Sequence, residues 1–212
     1  MHPHVIFIRI YFGYSVPIFM DERDEDLIAA YIAGDEEAFA TLTARHIKGV
    51  YSFAYRLIGD THAAEDVTQE TFVKIWKSLK SYNQGTSKFK TWMLHIARNT
   101  AIDFLRKRKH VPLSQFDDEE GHNSITDTSA DEEKLPDELF AEGEDFQMLA
   151  EATSKLPTKQ QEVLILHYTN GLTFEEISEV LGEPHNTVKS RHHRALLALR
   201  KLIPKDAPNL IH

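Results

Sequence analysis

The stretch TFEEISEVLGEPHNTVKSRHHRALLALR, residues 173–200, decides the fold of this 212-residue chain. Thr173 followed three residues later by Glu176 has the form of a capping box, in which each side chain accepts from the other's backbone N–H and a helix begins. Gly182 ends this first short helix, and Pro184 pre-sets the backbone dihedral for a second one. Two short helices joined by a glycine turn predict a helix-turn-helix.

The second helix of this motif combines an apolar stripe with a basic face. Val188, Ala195 and Leu199 recur at helical spacing, and His192 fills the remaining slot of the stripe. Residues 186–201 hold five basic residues and no acidic one, as a helix that neutralises phosphates and reaches base edges requires. We place six candidate DNA-binding residues on its outer face: Thr187, Lys189, Ser190, Arg191, His193 and Arg194. The alternative is a solvated basic face on an ordinary helical hairpin.

The chain before this motif also has helical periodicity. Breaks at Gly34-Asp35 and Gly59-Asp60 and a turn-rich loop at 81–87 divide residues 24–110 into about four helices. The fourth is expected to start near Thr91 and to end in the basic run 106–109. Because no sustained period-two alternation occurs, we predict an all-α fold of two small helical domains.

Charge and composition narrow the function classes. The chain has no cysteine, which excludes disulfides, Cys-ligated zinc and thiol catalysis. Its net charge of −9 arises in residues 111–145, which hold 13 acidic residues and Lys134 alone as a base. We interpret this segment as an extended, self-repelling linker. The acidic total therefore does not argue against nucleic-acid binding by the flanking domains.

The first nineteen residues are set apart from the rest. The apolar run from Val5 to Phe19 is too short to span a membrane, and it lacks the basic start and small-residue cleavage site of a signal peptide. We expect Met20 to be the native start, with 1–19 a non-native or disordered extension; a real hydrophobic tail is the alternative. We expect no membrane insertion.

Three motifs in order resemble one family. TVKSR at 187–191 is similar to the promoter-reading helix of bacterial sigma factors, and AEDVTQETF at 64–72 and FKTWMLHIARN at 89–99 resemble two other sigma-70 signatures. Order and spacing are similar to the extracytoplasmic-function (ECF) group, which keeps two helical domains. The resemblance covers about residues 24–203. It implies sigma region 2 at 20–110, the linker at 111–145, region 4 at 146–204 and a tail at 205–212.

The resemblance also implies a role for each motif of the first domain. The helix bearing Asp66, Gln69 and Glu70 would bind core RNA polymerase, and the spacing of Asp66 and Glu70 puts both carboxylates on one helix face. A solvated face is one alternative. A metal-dependent nucleic-acid enzyme that uses His62, Asp66 and Glu70 is another, although no second carboxylate-rich helix completes a ligand set.

The loop before residue 89 and the helix after it would melt and capture the minus-ten promoter element in such a protein. Residues 88–109 hold seven basic residues against one acidic residue. Base stacking on planar groups and hydrogen bonds to base edges would supply binding. The candidates are Tyr82, Asn83, Gln84, His95, Arg98, Asn99 and Arg106. For Trp92, a core position is favoured over a base-stacking one.

Two residues depart from the family pattern. His192 stands where an aliphatic residue is usual, and a neutral, hydrogen-bonded core histidine is favoured over a pH-sensitive one. Asn186 stands where glycine is more usual, which would alter the helix start and base preference.

The sequence thus predicts a cytoplasmic transcription initiation factor with no catalytic residues, metal, cofactor or small-molecule substrate. Its expected partners are core RNA polymerase, promoter DNA and an anti-sigma factor. The acidic linker would follow the RNA channel of the polymerase or act only as a tether. An autonomous helix-turn-helix regulator is the main alternative, disfavoured because the first domain carries motifs of its own.

Overall fold

A computed structural model of the chain describes residues 22–109 and 144–203. The expectations for the extension at 1–19, for most of the acidic linker and for the tail therefore lie outside the described residues. Within the described ranges every regular element is helical, so the all-α fold class is confirmed. The helices are α1 (Asp24–Ile32), α2 (Glu36–Ile58), α3 (Thr61–Ser78), α4 (Phe89–Lys109), α5 (Glu144–Ser154), α6 (Thr158–Leu164), α7 (Phe174–Leu181) and α8 (His185–Leu202).

Side-chain caps and glycines fix the helix ends of the first domain. The Asp35 carboxylate accepts from the backbone N–H of Glu37 at the start of α2, and the Asp60 carboxylate accepts from that of Ala63 at the start of α3. Gly59 ends α2 in the left-handed region at φ 75°. The breaks predicted at Gly34-Asp35 and Gly59-Asp60 are therefore the actual helix boundaries.

Two helices begin two residues before the positions indicated by the sequence. Helix α4 begins at Phe89, where a start near Thr91 was expected, and α5 begins at Glu144, where the resemblance implied region 4 from residue 146. Phe89 is fully buried against Tyr82 and Trp92, so tertiary packing extends α4 beyond the apolar periodicity that the sequence displays.

Helix α6 does not end in a regular α-helical terminus. It runs into a π-helical turn at Ile165–Thr169, and Asn170 and Gly171 then reverse the chain into the helix-turn-helix. The side chain of Asn170 donates to the Gly49 carbonyl of α2, 3.1 Å away. This turn therefore lies against the first domain, and the two domains pack on one another.

One apolar core joins the two domains. Phe53 of α2, Leu94 of α4, Val163 of α6 and Val180 of α7 are buried members of the same cluster. A second, smaller cluster lies within the second domain, between α5, the end of α6 and α8. Helix α4 is therefore buried on one side by its own domain and covered on another by α6 and α7.

Candidate nucleic-acid interface

The predicted polymerase-binding residues form an open polar face on α3. Asp66, Gln69 and Glu70 are all exposed, while Val67 and Thr71 on the opposite side are buried. Glu70 makes a surface ion pair with Lys74, with 2.9 Å between Oε1 and Nζ. A partner with basic side chains could bind this face with little rearrangement.

The alternative that this face binds a metal ion has no support among the described residues. His62 is 94% exposed and lies 3.8 Å from Glu65, but it is eight residues, more than two helical turns, before Glu70. Across residues 22–109 and 144–203, no three His, Cys, Asp or Glu side chains are arranged to hold a metal ion.

The loop between α3 and α4 is built around an aromatic cluster. The hydroxyl of Tyr82 donates to the Ser87 carbonyl at 2.7 Å, and its ring packs against Phe89 and Trp92 with centroids 5.8 and 5.0 Å away. Burial raises the pKa of Tyr82, and the negative charges of Glu25 and Asp24 raise it further. Tyr82 and Trp92 are both half-buried, so each ring contributes to the core and presents an edge to solvent.

The two polar residues of this loop are exposed. Asn83 accepts from the backbone N–H of Gly85 at 2.9 Å, which closes an Asx turn. Gln84 reaches the Glu25 carbonyl at 3.4 Å. Both side-chain amides are therefore accessible to a nucleic-acid strand that lies over the loop.

The minus-ten candidates on α4 instead face the second domain. Arg98 binds the Glu162 carboxylate with 2.7 Å between Nε and Oε1, and its NH1 donates to the Asn99 side chain at 3.2 Å. His95 Nδ1 donates to the Val180 carbonyl at 2.8 Å, and Asn99 donates to His95 Nε2 at 3.0 Å. The structure brings Arg98, His95 and Asn99 together as one hydrogen-bonded network. Within this network, the Glu162 carboxylate binds Arg98.

Glu162 is the most enclosed charged group of this network. Its side chain is 1% exposed, whereas that of Arg98 is 22% exposed. Burial raises the pKa of Glu162, while the charges of Arg98 and Arg191 lower it and that of Glu183 raises it. The two guanidinium groups thus compensate only part of the desolvation, and the pKa of Glu162 stays above its ordinary value.

Arg106, the last minus-ten candidate, lies apart from this network. It pairs with Asp103 one turn earlier on α4, 3.4 Å away, and its side chain is 42% exposed.

The helix-turn-helix has the local geometry that its sequence predicts. Glu176 N donates to the Thr173 hydroxyl at 3.2 Å and Thr173 N donates to the Glu176 carboxylate at 2.9 Å, so the capping box is confirmed. Gly182 ends α7 at φ 67°, and Pro184 precedes α8. The capping box, the glycine end and the proline start thus define both helices of the motif.

The outer face of α8 carries most of the predicted DNA-binding side chains. Lys189 and Ser190 are exposed, and Thr187, His193 and Arg194 are half-buried. Arg194 Nε donates to the Ser190 carbonyl at 3.3 Å. A short polar group and two cations therefore lie side by side near the amino end of α8, as a major-groove helix requires.

The predicted placement of Arg191 on this outer face was wrong. Its side chain is 3% exposed and makes an ion pair with Glu183, close to Glu162. Position 191 lies one turn after Val188 and one turn before Ala195, so it falls on the inward arc of the helix beside His192. A role in DNA binding stays a prediction for Arg191.

His192 lies in the core of the second domain, 8% exposed. Its Nε2 accepts from the Tyr168 hydroxyl at 3.1 Å, and its ring packs edge-on against His167 and Phe174. Burial, helped by the nearby His167 and His193, lowers its pKa to about 4. This is the neutral, hydrogen-bonded core histidine that the sequence favours.

Sequence reasoning missed the residues that hold the domains together. Lys88 pairs with Glu176 at 2.9 Å, and Lys90 donates to the Asn170 carbonyl at 2.5 Å. The sequence does indicate that Glu162 is paired, because a carboxylate at the edge of the apolar run VLIL requires a buried partner. Nothing in the sequence identified Arg98 as that partner.

Comparison with known proteins gives two family matches in the same order as the motifs. Residues 42–111 match Sigma-70 region 2, and residues 146–199 match Sigma-70, region 4. The ECF RNA polymerase sigma factor SigW of Bacillus subtilis is 36% identical over 172 residues, covering 79% of this chain and 90% of that protein. The chain belongs to the ECF sigma factors of the sigma-70 family.

Further relatives and a solved structure agree with this assignment. The ECF RNA polymerase sigma-E factor of Salmonella typhimurium is 32% identical, covering 83% of this chain and 92% of its own length. The structure of the Bartonella quintana sigma factor RpoE in complex with the anti-sigma factor NepR has a TM-score of 0.58 and 26% identity, covering 77% of this chain and 95% of that one.

Membership of this family assigns the function. The chain is a sigma factor that directs promoter-specific initiation of transcription, and this reading is favoured over an autonomous regulator or a nucleic-acid enzyme. Sigma factors are in general regulators rather than enzymes. Among the helices of the described ranges, none is long and apolar enough to cross a membrane.

Proposed function

We propose that this sigma factor performs initiation with three separate surfaces, each of which binds one partner. The α3 face of Asp66, Gln69 and Glu70 binds core RNA polymerase. The loop with Asn83 and Gln84, together with α4, captures the minus-ten element, and the outer face of α8 binds the minus-thirty-five element. The observation that carries this proposal is a capped helix-turn-helix with a basic outer face, joined to a domain that has an open carboxylate face.

The chemistry of α4 supports the minus-ten assignment. Asn99 has an amide that can pair with a base edge, and Arg98 and Arg106 supply charge for phosphates. The half-buried Tyr82 and Trp92 rings offer a stacking surface beside them. These groups suit an unpaired strand better than a duplex, because stacking needs bases that have left the helix.

The partners follow from these surfaces. The chain acts in the cytoplasm, where core polymerase and promoter DNA are found, and it has no catalytic centre of its own. An anti-sigma factor would act by covering the polymerase-binding and DNA-binding faces. The solved relative that is bound to an anti-sigma factor supports this partner.

Run-off transcription with purified core polymerase tests the proposal. We expect discrete promoter-specific transcripts from wild type, and we expect Asn99→Ala to impair promoter opening while leaving polymerase affinity unchanged. Lys155→Ala is the control, because it removes an exposed side chain of α5 that belongs to none of the three surfaces, and it should open the promoter as wild type does. Operator binding without polymerase would favour a regulator instead, and metal-dependent cleavage would favour an enzyme.

A further inference from the structure

A buried ion pair lies inside the helix-turn-helix. The Arg191 side chain on α8 is 3% exposed, and its Nη1 lies 2.5 Å from Oε2 of Glu183, whose side chain is 22% exposed. Burial raises the pKa of Glu162 on α6, and the charges of Arg98 and Arg191 lower it, so the Arg191 guanidinium also lies near a second carboxylate. Arg191 is therefore enclosed by protein carboxylates on the inward arc of α8.

Glu183 lies in the turn between the two helices, and its backbone is bonded to the first of them. Its N–H donates to the Ser178 carbonyl at 3.1 Å, and its own carbonyl accepts from the Ser178 hydroxyl at 2.6 Å. Both backbone polar groups of Glu183 are thus bonded to α7, while its side chain pairs with Arg191 of α8. This single residue therefore connects the two helices of the motif.

The proposed DNA-binding side chains lie on the outer face of α8. Lys189 and Ser190 are exposed, and the Ser190 carbonyl accepts from Arg194 Nε at 3.3 Å. A helix with its side chains has a radius of about 5–6 Å, so a rotation of α8 by about 10° displaces these groups by about 1 Å. Such a displacement takes a hydrogen bond out of its usual range of about 2.7–3.2 Å. Contacts from α8 to base edges therefore require that its rotation be closely fixed.

The buried pair is unsuited to DNA contact. To reach a phosphate, Arg191 would have to leave Glu183, and a partly buried carboxylate would lose its partner. The pair is also not required for stability, because apolar side chains of similar volume commonly stabilise a protein as well as a buried ion pair does. A guanidinium–carboxylate pair instead adds a defined orientation, since the planar donors and the two oxygens must be aligned.

We propose that Arg191 and Glu183 are positioning residues for the minus-thirty-five element, which set the orientation of α8 on α7 without touching DNA. This inference rests on the proposed function of the outer face of α8. A positioning role and a phosphate contact by Arg191 predict opposite effects for loss of the Glu183 carboxylate. If Arg191 bound a phosphate, the change would release its guanidinium and remove a negative charge near DNA, so affinity would rise. If the pair positions α8, affinity falls.

Equilibrium DNA binding by the holoenzyme measures this effect. The probe is a fluorescein-labelled duplex that covers the minus-thirty-five element of the strongest start site found by transcript sequencing, followed by anisotropy. A second duplex has the same composition with the element scrambled. Glu183→Gln should bind the element duplex about fivefold or more weakly than wild type, while its affinity for the scrambled duplex changes by less than about twofold. The loss is confined to the element because orientation governs base contacts, whereas charge acts on any sequence.

Two variants accompany this test. Glu179→Gln is the matched control, since it removes an exposed carboxylate of α7, and it should bind both duplexes within about twofold of wild type. Arg191→Met combined with Glu183→Met replaces the pair by apolar side chains, and it should also bind the element duplex about fivefold or more weakly. Urea unfolding gives the folded fraction of every variant, so that affinities are compared per folded molecule.

The outcomes separate the positioning role from the proposed function. Tighter or unchanged binding of the element duplex by Glu183→Gln would overturn the positioning role, and so would an equal loss on both duplexes. Wild-type affinity of the Met–Met variant would overturn it as well. If wild-type holoenzyme does not prefer the element duplex over the scrambled one, the proposed function of α8 is refuted together with the positioning role. A wild-type preference that Glu183→Gln retains refutes the positioning role alone.

Discussion

Replacement of His192 by leucine should remove an acid sensitivity that is built into the helix-turn-helix. The imidazole is 8% exposed, accepts from Tyr168 and packs against His167 and Phe174, with His193 adjacent on α8. Its pKa is lowered from 6.5 to about 4, first by burial and then by the neighbouring histidines. The folded state therefore prefers the neutral ring, whereas the unfolded chain takes up a proton near pH 6.5.

The direction and size of the change in stability with pH follow from the difference between the folded-state and unfolded-state pKa values of His192. The stability contributed by neutral His192 is fully present above pH 6.5 and is lost as the pH falls from 6.5 towards 4. At pH 5 the unfolded chain is mostly protonated at this residue and the folded chain is not, which lowers the free energy of unfolding by about 2 kcal/mol relative to pH 7.5.

Urea unfolding at pH 5 and pH 7.5 measures the effect. His192→Leu removes the hydrogen bond from the Tyr168 hydroxyl at every pH, so the variant is less stable throughout. Its decrease in the free energy of unfolding between the two pH values should nevertheless be about 2 kcal/mol smaller than that of wild type. His62→Leu, which removes a 94% exposed ring, should keep the wild-type decrease. An NMR titration that places the His192 midpoint near 6.5 would show that the folded state does not disfavour the charged ring.

Three further variants test single surfaces. Thr173→Ala removes the capping box and should reduce the free energy of unfolding by about 1 kcal/mol in urea, with Thr173→Ser as control; an unchanged value would show that the box does not stabilise α7. Glu70→Ala should weaken binding to core polymerase several-fold without loss of stability, since its exposed pair with Lys74 is worth under about 1 kcal/mol; unchanged affinity in a titration with labelled sigma factor would move the docking face elsewhere. Lys189→Ala should weaken binding to a minus-thirty-five duplex and flatten the log–log salt dependence by about 0.9, and an unchanged slope would mean that Lys189 contacts no phosphate.

Local structure was largely predictable from the sequence. The breaks at Gly34-Asp35 and Gly59-Asp60, the capping box at Thr173 and the helix end at Gly182 depend on neighbouring residues, so the pattern and the structure agree there. The exposed carboxylates of α3 followed from helical spacing in the same way.

The relation between the domains was not predictable. The Arg98–Glu162 pair joins residues 64 positions apart, and no local pattern encodes such a contact. Arg191 shows the same limit within one helix, because the width of the buried arc on α8 depends on what packs against it. The sequence pattern predicts which helices carry these side chains, but tertiary packing determines which groups they contact.

Core polymerase guided by this chain should start transcription at chosen sites. Sequencing of the 5′ ends of transcripts made from total genomic DNA by core polymerase with the purified protein measures this directly. We expect a small set of discrete start sites that depend on the protein and weaken when Lys189 or Asn99 is replaced by alanine. Start sites identical to those of core polymerase alone would contradict it.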